Sequence, residues 1–115
     1  MIAEDSNAVR TVLKDSLQTG NHELVAEASD GLEAIEKFNA TNPDVLLLDV
    51  AMPKKDGLST LREIMSTNPD AKIIMITADE NLSTIHQSSE AGAQAYLVKP
   101  FSPEQVLTAI TMSLN

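Results

Sequence analysis

Residues 45–49 read Val45-Leu46-Leu47-Leu48-Asp49, and they carry the strongest structural signal in the chain. Four consecutive aliphatic residues without alternation are typical of a β-strand buried on both faces, as in a parallel sheet. The run ends in a carboxylate, and the turn pair Asp56-Gly57 follows it. Because open parallel sheets bind their ligands beyond the carboxyl ends of the strands, Asp49 is the first candidate for a chemical role.

Apolar runs alternate with segments of helical periodicity five times along the chain. The predicted strands are Met1–Glu4, Glu23–Ala28, Val45–Asp49, Lys72–Thr77 and Ala95–Val98. The last helix has the clearest start, since Ser102 can act as its N-cap, with Pro103 at the first helical position and Gln105 at the third. Strict alternation of strands and helices predicts an α/β fold, a doubly wound (βα)5 three-layer sandwich around a five-stranded parallel sheet.

Length and composition narrow the classes of function. With 115 residues, 43% hydrophobic and 22% charged, residues 1–115 are expected to form one globular domain. The net charge of −9 disfavours nucleic acid and anionic membranes as direct partners and favours cations. The chain has no cysteine, which excludes disulfides and thiolate metal sites. No apolar run approaches the ~20 residues of a membrane span, so a cytoplasmic protein is expected.

Four of the five predicted strand ends carry polar residues suited to one reaction. They are Glu4 and Asp5, Asp49, Thr77 and Lys99. Carboxylates about 5 Å apart would repel one another by roughly 3 kcal/mol per pair at an effective dielectric of 20, so a cation must offset the charge. Mg²⁺ suits such a site, with Glu4 and Asp5 holding the metal. Asp49 is then a candidate nucleophile for a phosphoryl group, whose oxygens Lys99 and Thr77 would receive.

In these residues the chain resembles the receiver domain of response regulators from two-component signalling, over essentially its whole length. The matching pieces are Glu4-Asp5, Asp49 with Met52-Pro53 and Asp56-Gly57, Thr77-Ala78, and residues 96–101, Tyr-Leu-Val-Lys-Pro-Phe. The resemblance implies a flavodoxin-like fold with strand order 2-1-3-4-5. Tyr96 with Lys99-Pro100-Phe101 looks most like a chemotaxis (CheY-like) regulator.

The resemblance also implies a chemistry and a cofactor. Asp49 would be phosphorylated from a phosphohistidine of a sensor histidine kinase, as a switch and not as an enzyme that turns over an external substrate. Mg²⁺ would bind Asp5, Asp49 and the backbone carbonyl of Ala51, with Glu4 acting through water. A cis peptide bond between Lys99 and Pro100 is a further expectation from the resemblance.

Two residues would act as the switch. Thr77 would move toward the phosphoryl group, and Tyr96 would turn inward into the space that Thr77 leaves. The fourth helix, fifth strand and fifth helix would then form the surface that binds a downstream protein. A phosphatase is a further expected partner.

Other readings share this architecture. A flavodoxin-like cofactor binder would not place Glu4-Asp5 where a phosphate has to sit. A magnesium-dependent phosphatase or mutase usually needs a second Asp two residues after its nucleophile, and Ala51 occupies that position. A stand-alone receiver is expected because no output domain follows Leu114, and a module of a longer regulator, such as a transcription factor, remains the alternative.

The first strand is short for this architecture. Only Met1-Ile2-Ala3 precede the acidic pair, and the predicted strand order makes this strand central. A short central strand would leave backbone groups of its neighbours unpaired. We therefore expect either that the numbered chain begins inside a longer natural strand or that another element, such as a partner molecule, fills the gap.

Overall fold

The computed structural model of the chain describes residues 1–78 and 82–114, in which strands and helices alternate. The strands are β1 (Ile2–Ala3), β2 (Glu27–Ala28), β3 (Leu46–Asp49), β4 (Ile73–Thr77) and β5 (Ala95–Val98). The helices are α1 (Asn7–Thr19), α2 (Gly31–Thr41), α3 (Gly57–Thr67), α4 (Leu82–Glu90) and α5 (Pro103–Leu114). The strands form one parallel sheet in the order β2-β1-β3-β4-β5, which confirms the predicted fold and strand order.

Alternation along β3 divides the apolar core between the two faces of the sheet. Leu46 and Leu48 point into a cluster with Phe38 of α2 and Ile64 of α3. Leu47 points to the opposite face, into a cluster formed mainly with α1 and α5. This burial on both faces is what the uninterrupted aliphatic run predicts. Among the described helices, none has the length and apolar character needed to cross a bilayer.

The first two strands are shorter than predicted. β1 comprises two residues, Ile2 and Ala3, and β2 begins at Glu27 although the sequence predicts a strand from Glu23. The paired residues are Ile2 with Glu27 and Ala3 with Ala28, and the carbonyl of Ala26 accepts from the N–H of Ile2 at 3.1 Å. The prediction for β2 was therefore wrong in its first four residues, which the structure does not assign to a strand.

The capping box predicted for α5 is present. The backbone N–H of Gln105 donates to the Ser102 hydroxyl at 3.2 Å, and the N–H of Ser102 donates to the Gln105 side chain at 2.8 Å. Each bond satisfies a backbone donor that would otherwise have no partner at the start of the helix.

We expect Ser102→Ala to lower the free energy of unfolding by about 1 kcal/mol, because the N-cap bond is lost. In a domain of this size the midpoint of thermal unfolding should fall by about 4 °C, measured by circular dichroism. Thr108→Ala, an exposed change within the same helix, is the control and should not lower the midpoint. Equal midpoints for wild type and Ser102→Ala would contradict the role of the cap.

Candidate functional site

Three carboxylates from two adjacent strand ends meet at the carboxyl edge of the sheet. Glu4 and Asp5 follow β1, Asp49 ends β3, and one carboxylate oxygen of each lies within 4.8 Å of those of the other two. Glu4 is fully buried and Asp49 is 2% exposed, whereas Asp5 is exposed. The cluster is therefore open to solvent on the Asp5 side and closed beneath it.

Lys99 brings a positive charge into this cluster from the end of β5. Its ammonium lies 2.9 Å from Glu4 Oε1 and 3.6 Å from Asp49 Oδ1. The peptide bond that follows, Lys99-Pro100, is cis, and the backbone N–H of Lys99 donates to the carbonyl of Thr77 at 2.8 Å. The end of β4 therefore helps to position Lys99.

The surroundings of the two buried carboxyl groups shift their pKa values in opposite directions, upward for Asp49 and downward for Glu4. Burial and the neighbouring Glu4 raise the pKa of Asp49 to about 7, and Lys99 only partly opposes this rise. Burial also acts to raise the pKa of Glu4, but interactions with Lys99 and Asp49 outweigh it and hold that pKa below its ordinary value. When the two carboxyl groups share one proton, Asp49 holds it.

Lys99 remains charged in this environment. Burial alone would lower the pKa of Lys99, but the Glu4 and Asp49 carboxylates outweigh burial and raise it above its usual range. One ammonium facing three carboxyl groups leaves an excess of negative charge, which is the condition that favours a bound divalent cation.

The donor set fits Mg²⁺. All three side chains offer carboxylate oxygens, the hard ligands that this ion prefers, and one oxygen of each lies within 4.8 Å of the others. Glu4 Oε1 is buried and, among the described residues, has no hydrogen bond of good geometry although the Lys99 ammonium lies close to it. The Lys99 ammonium at 2.9 Å already places a positive charge against this oxygen, so the fit to Mg²⁺ rests on the three carboxylates and their excess negative charge.

Backbone contacts hold the end of β3 in place. The N–H of Ala51 donates to Asp49 Oδ1 at 3.3 Å, and the N–H of Gly57 donates to the carbonyl of Val50 at 2.7 Å. A Cβ at residue 57 would lie 2.1 Å from the carbonyl oxygen of Asp49, so only glycine fits there. Asp56 caps α3 through the N–H of Ser59, which fixes the turn that the sequence predicts.

The two predicted switch residues lie in different surroundings. Thr77 ends β4 and is buried, whereas the Tyr96 side chain on β5 is 51% exposed. The Tyr96 side chain therefore points toward solvent in this structure.

The structure also contains site contacts that sequence reasoning missed. Glu4 is expected to act through water, yet it is fully buried, and its carboxylate is closer to Lys99 than that of Asp49 is. Lys54 has an exposed side chain whose ammonium lies 3.5 Å from Asp30, the N-cap of α2. The backbone of Lys54 is left-handed, with φ of 66°, which its residue type does not predict.

Comparison with known proteins identifies relatives of this arrangement. The response regulator receiver domain family matches residues 1–111. Chemotaxis protein CheY of Bacillus subtilis is 38% identical over 115 residues, which are 100% of this chain and 96% of that protein. Transcriptional regulatory protein PdtaR of Mycobacterium tuberculosis is also 38% identical over the whole chain, which spans 56% of PdtaR. The crystal structure of a CheX-CheY-BeF3-Mg complex from Borrelia burgdorferi matches with a TM-score of 0.92 at 30% identity, covering 96% of this chain and 84% of that one.

Proposed function

This chain belongs to the response regulator receiver domain family, and we propose that Asp49 is the residue on which it accepts a phosphoryl group. It is a receiver domain of two-component signalling, similar to chemotaxis proteins, and receiver domains take phosphoryl groups from histidine kinases. The observation that supports Asp49 is its position, at the end of a central strand between two other carboxylates and Lys99.

Transfer of the phosphoryl group to Asp49 forms one bond and breaks one bond. A carboxylate oxygen of Asp49 attacks phosphorus, an O–P bond forms, and the P–N bond to the donor imidazole breaks as the imidazole takes up a proton. Asp49 must be ionised to attack, so its raised pKa has to be offset by positive charge nearby. The Lys99 ammonium and the Thr77 hydroxyl are assigned to the phosphoryl oxygens, which stabilises the charge that they carry.

Glu4, Asp5 and Asp49, with the main-chain carbonyl of Ala51, are the groups assigned to Mg²⁺. When bound, this ion would supply the positive charge that lets Asp49 ionise and the phosphoryl oxygens approach. In this assignment Glu4 would contact the ion through a water molecule, because its carboxylate already lies against Lys99.

Signal output is assigned to the surface formed by α4, β5 and α5. Among the described residues, these elements expose the large apolar side chains of Leu82 on α4, Tyr96 on β5, and Met112 and Leu114 on α5. Thr77 and Tyr96 are proposed to couple the site to this surface, Thr77 by moving toward the phosphoryl group and Tyr96 by turning inward. The phosphoryl group shifts this equilibrium only because it contacts Thr77 differently in the two states.

The partners follow from this cycle. We assign a sensor histidine kinase as donor, a downstream protein on the α4-β5-α5 surface, and a phosphatase that ends the signal, all in the cytoplasm. The solved CheX-CheY complex is an example of a relative bound to a second protein. A role as the receiver module of a longer regulator is the second candidate, favoured by the match to PdtaR, of which the aligned part is 56%.

The test is phosphorylation by a small donor. We expect incubation with acetyl phosphate and Mg²⁺ to raise the intact mass by about 80 Da, the mass of HPO₃, in a single addition. Replacing Mg²⁺ by EDTA should reduce the labelled fraction at least about tenfold, because the carboxylate repulsion is no longer offset.

Hydroxylamine treatment is the chemical control, since it cleaves acyl phosphates and should return the mass to its starting value. Labelling that does not respond to Mg²⁺, or that survives hydroxylamine, would contradict a carboxylate acceptor in this cluster.

A further inference from the structure

A small cavity lies between α4 and the start of β5. It has a volume of about 190 Å³ and is bordered by Ile85, Ser88 and Ser89 of α4 and by residues 93–96. Sites that bind cofactors and other small molecules usually enclose about 300–1,000 Å³. This cavity is therefore small for a cofactor, and its size suits an amino-acid side chain.

The hydroxyl group of Ser88 is the polar group that this cavity leaves unsatisfied. Ser88 is only 3% exposed, and its Oγ has no hydrogen-bond partner within residues 1–78 and 82–114. The buried helical serines Ser16 and Ser113 each donate instead to the backbone carbonyl four residues before them, at 2.8 Å. A buried hydroxyl without a partner is costly, and Ser88 borders a space from which a second molecule could supply one.

The wall between α4 and β5 is fixed by backbone hydrogen bonds. The N–H of Ala93 donates to the carbonyl of Ser88 at 3.0 Å, and the N–H of Gln94 donates to the carbonyl of Ile73 at 2.9 Å. Gly92 lies between them with φ of 109°, a conformation that favours glycine. These contacts attach the end of α4 to the sheet, so the cavity is formed before anything binds and little has to be ordered on binding.

The lining selects against charged side chains. None of the bordering residues is charged at neutral pH, although the chain as a whole carries a net charge of −9. A charged group placed here would lose its water without gaining a counter-charge, and an apolar group would leave the Ser88 hydroxyl unpaired. A serine hydroxyl both donates and accepts, and so does the carboxamide of Asn or Gln. A carboxamide therefore matches this cavity best.

Tyr96 connects the cavity with the proposed switch. It borders the cavity from β5, and its side chain is half exposed on the surface assigned to signal output. The proposed inward turn of Tyr96 would change this wall, so a ligand that contacts it would bind the two states differently.

We propose that this cavity receives an Asn or Gln side chain from a peptide segment of the downstream protein, and that Ser88 selects the carboxamide over a charged or apolar side chain. The inference rests on the proposed output surface and extends it, because it specifies the chemistry of one contact with the partner.

The test uses a phage-displayed library of random dodecapeptides as the probe. We select it against the wild-type protein kept in acetyl phosphate and Mg²⁺, and expect the bound peptides to share an Asn or Gln. Ser88→Ala should weaken such a peptide at least about tenfold, measured by fluorescence anisotropy, because the carboxamide loses its partner. Ser16→Ala is the matched control, since it makes the same change at a buried helical serine away from the cavity, and it should leave the affinity within about twofold.

A change in the peptide separates recognition by Ser88 from a general effect on the fold. Replacing the shared Asn or Gln by Leu should weaken binding to wild type at least about tenfold, but binding to Ser88→Ala by less than about twofold. Thermal unfolding checks that the variant folds, and its midpoint should not lie below that of wild type, because the substitution removes a buried hydroxyl that has no partner in the free protein.

The outcomes distinguish this proposal from the function on which it rests. Selected peptides whose affinity does not change in Ser88→Ala, or that share no carboxamide, would overturn it, although loss of their binding in Tyr96→Ala would still support the output surface. Affinity that depends on Ser88 but is the same with and without acetyl phosphate would support the cavity and contradict its coupling to phosphorylation.

Discussion

The Asp49→Asn variant should lose phosphorylation by acetyl phosphate, with a decrease in labelling rate of at least about 100-fold. The amide is nearly isosteric with the carboxylate and fits the same buried position, so the fold is retained while the nucleophile is removed. An amide oxygen is neutral and does not attack phosphorus at a useful rate. The measurement is the time course of the intact-mass gain with Mg²⁺ present.

Asp44→Asn is the matched control for this prediction. Asp44 precedes the same strand at the opposite edge of the sheet and is exposed, so the same chemical change there should leave labelling within about twofold of wild type. Circular dichroism of both variants checks that they fold. A folded Asp49→Asn protein that gains the same mass at the wild-type rate would rule out Asp49 as the acceptor.

The same substitution should stabilise the protein without metal. In EDTA at pH 8 we expect Asp49→Asn to have a free energy of unfolding about 2–4 kcal/mol above wild type, because wild type must hold an ionised Asp49 beside Glu4. The order of the two proteins in stability is thus the reverse of their order in labelling.

The difference in stability between wild type and Asp49→Asn should depend on pH. The pKa of Asp49 is raised from 3.8 to about 7 on folding, so between these values the folded chain binds a proton that the unfolded chain has released. The stability of wild type therefore falls as pH rises from about 4 to about 7, relative to the variant. The amino group of Met1 acts in the opposite direction between about 6 and 8, because its pKa is lowered on folding. It is common to both proteins and cancels in the difference.

Urea unfolding of both proteins at pH 5 and pH 8 in EDTA measures this effect. The advantage of Asp49→Asn should be less than half as large at pH 5, where the folded chain still holds the proton, as at pH 8. Adding Mg²⁺ at pH 8 should stabilise wild type more than the variant, because the variant has lost one ionisable ligand. An advantage that is equal at the two pH values would show that the carboxylate repulsion is not its cause.

The fold was predictable where local pattern and tertiary context agree. The aliphatic run before Asp49 became a strand buried on both faces, and the caps at Asp56 and Ser102 formed as their sequences indicate. The order of the strands came from the family resemblance, because periodicity alone does not say which strands are neighbours. The lengths of β1 and β2 could not be read from propensity, because the pairing between strands decides where each strand begins and ends.

Helical spacing of apolar residues does not by itself say which of them are buried. Val12 and Leu32 fit the apolar spacing of their helices, yet both are exposed. The buried face of α1 is formed by Leu13, Ser16 and Leu17, and Val12 lies at its edge. Ser16 can be buried because its hydroxyl donates to the backbone carbonyl of Val12. The sequence does not reveal that exchange.

The members of the site were predictable, but their pairing was not. Parallel strands bring their carboxyl ends to one edge, which is why Glu4, Asp49 and Lys99 could be grouped from the sequence. Which carboxylate the ammonium approaches depends on side-chain geometry of about 1 Å, and the structure places it nearer Glu4. Because the ammonium of Lys99 lies nearer Glu4, it lowers the pKa of Glu4, whereas the pKa of Asp49 is raised. A proton shared by the two carboxyl groups is therefore held by Asp49.

The close approach of Gly57 to the main chain of Asp49 has a consequence for how this domain can vary. Residue 57 takes part in no reaction step, yet any side chain there would displace the strand end that carries the acceptor. Libraries that recode the loop to suit a different kinase should therefore keep codon 57 constant, and keep residue 58 apolar because Leu58 packs against the core. Sequence variation around the acceptor is therefore constrained at residue 57, where even the methyl group of alanine would not fit.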